Sequence, residues 1–268
     1  MDKSFGPATL AIYAGDMDSL GTLLFDDPGL ATRTSSVSHP TLLQLVACEA
    51  AQLPQPVDAA LVLVEAGSAM TGPLVSAAGC GSTSIVELLL DLGADIDGDE
   101  SWTPLDEALY WANSEIARRL LDRGATVRAL STAAGIGSID GVEAFFEAGG
   151  LGSDAGPIGS PFPDTTPAEL GNDPQSIIDH AFVMAVNCGS RDAAKLLFDR
   201  GAEINAAPPG YHWRGTALHA ACWRGDANLV EWLLFIGADP TIRDRLANSD
   251  AAGWATHHGH AELLELLQ

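Results

Sequence analysis

Three groups of residues have the side-chain types and spacing that chemistry would need. The first is Asp99, Glu100, Asp106 and Glu107, set among Trp102, Tyr110 and Trp111. Carboxylates against aromatic walls lose hydration, which raises their pKa and suits them to exchange a proton with a bound small molecule. The second is His257, His258 and His260 with Glu262, whose nitrogen and oxygen donors are of the kind zinc takes. The third is the four cysteines, Cys48, Cys80, Cys188 and Cys222, which show no CxxC pair and no metal-ligand spacing. Two glycine runs, GCGSTS at 79–84 and GIGSID at 135–140, lack the third glycine, the lysine and the preceding strand of a phosphate cradle. The sequence contains neither a Gly-x-Ser-x-Gly elbow nor an HExxH pair. No catalytic residue, metal or cofactor is therefore assigned.

The charge narrows the partners. The chain has 36 acidic and 13 basic side chains, a formal net charge of −23. Direct nucleic-acid binding is excluded as an expectation, because affinity there comes from neutralising phosphates with Lys and Arg. The field would steer a basic partner, and it also keeps the chain soluble. The N-terminal part is the more acidic: through Ala117 only Lys3 and Arg33 offset 17 carboxylates. No apolar run is long enough to span a bilayer, and the N-terminus lacks a secretory stretch. With scattered free thiols, these features predict a cytoplasmic protein.

The elements that must position these residues come in repeats. A short apolar stretch ending in small residues and a glycine leads into an apolar helix that closes on Leu-Leu-x-x-Gly-Ala. It is seen in GPLVSAAGCGSTSIVELLLDLGADID at 72–97, WTPLDEALYWANSEIARRLLDRGATV at 102–127 and GTALHAACWRGDANLVEWLLFIGADP at 215–240. Each copy reads as two antiparallel helices. Thr caps free N–H groups and Pro is tolerated in a first helical turn. Small pairs such as Ala77-Ala78 and Ala220-Ala221 let helices approach, and Gly93, Gly124, Gly201 and Gly237 supply the left-handed residue that ends the second helix.

Thr103-Pro104-Leu105 and Gly215-Thr216-Ala217-Leu218-His219-Ala220-Ala221, each followed by Leu-Leu-x-x-Gly-Ala, resemble ankyrin repeats. Weaker copies at 8–24, 40–67, 128–149, 180–202 and 250–267 extend the resemblance over nearly the whole chain, to about eight units, and the first resembles the opening repeat of bacterial ankyrin proteins. The resemblance implies an all-α solenoid of helix-turn-helix units. Short spacings from Gly67 to Gly93 and from Gly124 to Gly149 predict hairpins cut to tight turns, and Pro54 and Pro56 interrupt repeat two. A Gly/Pro/Ser-rich insertion at 150–175 separates about five repeats in 1–149 from about three in 176–268, within one solenoid. Its composition is that of a loop, open to three readings: a surface excursion, a lid or partner contact, or disorder.

In the family that this sequence resembles, contacts fall on hairpin tips and on the exposed ends of first helices, which line a concave face. Carried over residue by residue, those positions are Asp99, Glu100 and Trp102 at one tip, His212 and Trp213 at another, and the pairs Tyr110-Trp111, Trp223-Arg224 and His257-His258 before the loop glycines. Five of the nine Trp and Tyr residues are thus expected to be exposed and to anchor a partner. Asp106 and Glu107 stand where the family has His and an apolar residue, and Arg118 or Arg119 is the expected counter-charge. Cys48, Cys80 and Cys188 fall at first-helix ends, where a small space-filling role is expected. His219 takes the place of the family's capping histidine, and Gly259-His260 that of the turn into a second helix. The function this predicts is a non-catalytic acidic scaffold or inhibitor that binds a protein partner, a basic one if charge steers it. The alternative is a small-molecule or enzymatic site using the carboxylates and aromatic walls of repeats four to seven.

Overall fold

The computed structural model describes residues 5–35, 40–98, 102–147, 150–161, 170–171 and 173–268. Its helices come in pairs. In one compact unit, Met1–Thr126, α1 (Gly6–Ala14) pairs with α2 (Met17–Asp26), α3 (Leu42–Glu49) with α4 (Pro56–Glu65), α5 (Thr71–Gly79) with α6 (Thr83–Asp91), and α7 (Pro104–Tyr110) with α8 (Ser114–Asp122). In the other, Val127–Gln268, α9 (Leu130–Gly135) pairs with α10 (Ile139–Ala144), α11 (Pro174–Asn187) with α12 (Arg191–Asp199), and α13 (Ala217–Arg224) with α14 (Ala227–Phe235). There α15 (Ala251–His257) is followed by a 3-10 turn at Ala261–Glu265. Among the described residues these are the eight helical hairpins that the sequence theme predicts.

The turns explain why each pair closes. Gly81 and Gly225 end first helices with φ of +76° and +72°, and Gly93 and Gly237 end second helices with +87° and +105°. These conformations cost a glycine nothing and a side chain over 1 kcal/mol. Within each unit, first helices pack on first helices: α1 on α3, α3 on α5 and α5 on α7 in one, then α9 on α11, α11 on α13 and α13 on α15 in the other. Small side chains permit it, since Ala77, Ala78, Ala108, Ala181, Ala185, Ala220 and Ala221 are all fully buried. Leu20, Leu63, Leu89, Leu120, Leu197 and Leu233 on the second helices complete the apolar interior. Between α4 and α5 the link is a tight turn, in which the Ser68 hydroxyl donates to the Ala31 carbonyl at 2.8 Å.

The start of the 150–175 insertion has a shape that composition does not reveal. Two short antiparallel strands, β1 (Phe146–Glu147) and β2 (Gly150–Leu151), lead into it with Phe146 opposite Leu151. Ala155 and Ile158 are then buried. The Leu130 N–H donates to the Ala155 carbonyl at 2.8 Å, which caps α9 where Ala129 has no side chain able to do so.

Candidate functional site

In the first unit the predicted site residues divide by what holds them. Asp106 closes the start of α7: its backbone N–H donates to Thr103 Oγ1 at 3.0 Å, while its carboxylate accepts from the Thr103 N–H at 3.2 Å. In the second unit His219 does the same for Thr216, accepting from its N–H through Nδ1 at 3.1 Å. Asp106 is thus a working replacement for the capping histidine. His219 has a second ring nitrogen and reaches the Ser249 carbonyl at 3.2 Å as well. The expected pairing of Asp106 or Glu107 with Arg118 or Arg119 is not what the structure has. Arg119 binds Glu87 and Glu115, and Arg118 binds Asp122, all on the outer face of the second helices. The reason is direction: Arg119 reaches across to Glu87 on α6, and Arg118 pairs along α8 itself.

Glu107 instead holds two indoles. Trp102 Nε1 donates to one carboxylate oxygen and Trp111 Nε1 to the other, the latter at 2.9 Å. Burial raises its pKa, and the two indole hydrogen bonds oppose that rise. Tyr110, expected at the surface, is fully buried, with Trp102 and Trp111 edge-on at centroid distances of 5.9 and 5.2 Å. The helix places 110 and 111 about 100° apart, so only one of the pair can face outward. Gly79 on the preceding hairpin makes room for the carboxylate, since a Cβ there would lie 2.5 Å from Glu107 Oε1. Glu107→Ala should therefore destabilise the first unit by about 1–3 kcal/mol, with Glu107→Gln costing less because one indole keeps an acceptor. Urea denaturation of the three proteins would check the order, and equal loss from both variants would count against a two-indole clamp. Asp99 and Glu100 lie outside the described residues.

The second unit gathers the other aromatic positions. Trp213 was expected at an exposed tip and is instead fully buried, with Tyr211 at 4.6 Å, Trp223 at 5.5 Å and Trp254 at 6.0 Å between ring centroids. The tip folds back: Gly210, at φ +96°, turns the chain inward, and the Arg245 N–H donates to the Trp213 carbonyl at 3.1 Å. His212, one residue away, points to solvent. Trp223 is half-buried and its carbonyl lies 3.1 Å from His260 Nε2. Arg224 is exposed and donates through Nη1 to the Asn187 carbonyl of α11 at 2.9 Å. His257 and His258 are exposed. Burial, followed by the neighbouring imidazoles of His257 and His260, holds His258 below the ordinary histidine pKa. Trp223, Trp254 and His258 form one aromatic shelf, with centroids 5.6 to 6.3 Å apart.

Two members of this cluster were not foreseen. Trp254 takes the place in its repeat that Ala220 takes in the one before, so a Trp at a small-residue position was its signal. Asp244 had none. Its carboxylate accepts from the N–H groups of Leu246, Ala247 and Ser249 and from Trp254 Nε1 at 2.9 Å. Burial pushes its pKa up, but these bonds outweigh it and hold the carboxyl below its usual range.

Stacked helical hairpins with capped first helices and glycine-ended second helices define a helical repeat protein. Family comparison agrees with the geometry: the family described as Ankyrin repeats (3 copies) matches residues 45–131 and the family described as Ankyrin repeats (many copies) matches residues 183–234, together just over half of the chain. The chain belongs to the ankyrin-repeat family, whose repeats are generally protein–protein interaction modules. It is similar to the Ankyrin repeat and LEM domain-containing protein 1 homolog of Caenorhabditis elegans, 33% identical over 90 residues. That stretch is 34% of this chain and 12% of the relative, so the chain spans about an eighth of the relative's length. Among the described residues no helix is long and apolar enough to cross a membrane.

Proposed function

We propose that this chain is a non-catalytic acidic scaffold that binds a basic protein partner on the ends of its first helices. The observation that carries the proposal is a chain of charge −23 that keeps half-exposed aromatic and imidazole groups at those ends. Trp102 and Trp111 occupy the position in the first unit, and Trp223, Arg224, His257 and His258 in the second. Carboxylates repel one another and attract cationic side chains, while large flat rings bury area with few rotors to freeze. An inhibitor that blocks a basic enzyme or toxin is one form of such a scaffold. A cytoplasmic setting, in a bacterium as the opening repeat suggests, fits four cysteines held as thiols. Glu107 speaks against an enzymatic reading, because both of its oxygens accept from indoles.

The test is capture on the immobilised chain from a native lysate, with elution at rising salt and cross-link mapping. A basic protein should be captured and lost between about 0.05 and 0.5 M salt. Trp223→Ala and Trp111→Ala should each weaken it by roughly 2 kcal/mol or more, or about 30-fold, with helicity unchanged. A partner held equally at both salt concentrations, or cross-linked only to the second helices, would overturn the proposal.

A further inference from the structure

Cys48 and Cys80 occupy the same register on successive hairpins of the first unit. Cys48 lies in the last turn of α3, and Cys80 follows the last residue of α5. One turn earlier the same step of 32 residues joins Gln44 to Ser76, whose side chains meet at 3.4 Å. The two thiols lie close enough to shift each other's ionisation, and the Ser76 hydroxyl acts on Cys48 as well. α3 and α5 pack directly, so the helices need not move far for the sulfurs to bond. Exposure is unequal: Cys80 is open to solvent, Cys48 half-buried, and Cys222 wholly buried.

We infer that Cys48 and Cys80 form a reversible dithiol–disulfide site, oxidised by a peroxide and reduced by small thiols. The exposed Cys80 sulfur attacks one peroxide oxygen, the O–O bond breaks, and the leaving oxygen departs as water, giving Cys80 sulfenic acid. The Cys48 sulfur then attacks the Cys80 sulfur, loses its proton and displaces the hydroxyl as a second water. Two thiols lose two electrons and two protons, and one hydrogen peroxide becomes two waters. The neighbouring Cys48 thiol holds the Cys80 thiol below its ordinary pKa, the direction that favours the first attack, while partial burial and then Glu107 on α7 and Glu49 on α3 oppose it. The resulting bridge ties repeat two to repeat three and closes a loop through α4.

The experiment treats the full chain with hydrogen peroxide, blocks remaining thiols and maps peptides without reduction. The expected result is a Cys48–Cys80 cross-linked peptide with a mass loss of about 2 Da, reversed by dithiothreitol, and a thermal midpoint raised by about 5 °C or more. In Cys48→Ser, Cys80 should stop at a sulfenic acid that dimedone traps; Cys80→Ser should give no cross-link and no trapped adduct at position 48. The proposal is overturned if the wild-type chain leaves both peptides reduced while Cys188 or Cys222 reacts, or if Cys80 pairs only between molecules. The wild-type map needs no variant to fold.

Discussion

Replacing Trp213 by Ala should remove about 3–5 kcal/mol from the second unit, the range found when a fully buried aromatic is truncated in a core that cannot collapse around the gap. Trp213 is entirely shielded from solvent. It is also the ring against which Tyr211, Trp223 and Trp254 all pack. Losing it empties the centre of the cluster and removes the anchor for the chain that turns at Gly210. The midpoint of thermal unfolding should fall by about 10 °C or more, and near-ultraviolet circular dichroism should lose the signal of coupled indoles. Trp213→Phe, which keeps a ring, should lose distinctly less. Trp223→Ala removes a half-buried ring and should cost less stability than Trp213→Ala. A Trp213→Ala protein as stable as the wild type would mean that the tip does not fold inward.

The contrast between those two tryptophans shows what a repeat sequence reveals and what it conceals. Backbone turns and close helix contacts impose local demands that recur with every hairpin. Gly81, Gly93, Gly225 and Gly237, with Ala77-Ala78 and Ala220-Ala221, therefore announce the fold through their residue types alone. A side chain on a hairpin tip is under no such demand. Whether Trp213 faces water depends on a partner loop more than thirty residues on, where the Arg245 N–H donates to its carbonyl, and nothing in the local pattern encodes that. The same holds for Glu107. As a departure from the family pattern it is visible, but its two partners, Trp102 and Trp111, carry in the sequence the marks of a surface in their own right. The family position of Asp106 was legible and its role was not, because a carboxylate and an imidazole can close the same capping box with different atoms. The inward start of the 150–175 segment escaped for a related reason: Gly, Pro and Ser report that regular structure stops, and they are silent on whether an Ile158 among them finds a core.

Acid should weaken the second unit, through a residue that the repeat pattern did not single out. His180 lies on α11, fully buried, its ring stacked on Tyr211 at 4.7 Å. Its Nε2 has no hydrogen-bond partner among the described residues and lies 2.8 Å from where a Cβ on Gly210 would sit. Burial drives its pKa down to about 3 from 6.5. Below pH 6.5 the unfolded chain takes up a proton that the folded chain refuses. Stability from this residue is therefore complete above pH 6.5 and falls by about 1.4 kcal/mol per pH unit as the solution is acidified toward pH 3. By pH 5 about 2 kcal/mol is lost. His219, which burial also holds below its ordinary value, adds to the same trend. Asp179, the residue before His180, opposes the trend, because burial raises that carboxyl and its protonation in acid favours the folded state. His180→Phe keeps the ring on Tyr211 and removes the proton. Urea titrations at pH 7 and pH 5 should show a shallower loss for the variant, with a pH 7 stability equal to or above that of the wild type, since an unpaired polar nitrogen has left the core. An unchanged slope would assign the acid sensitivity to His219 or to the carboxylates.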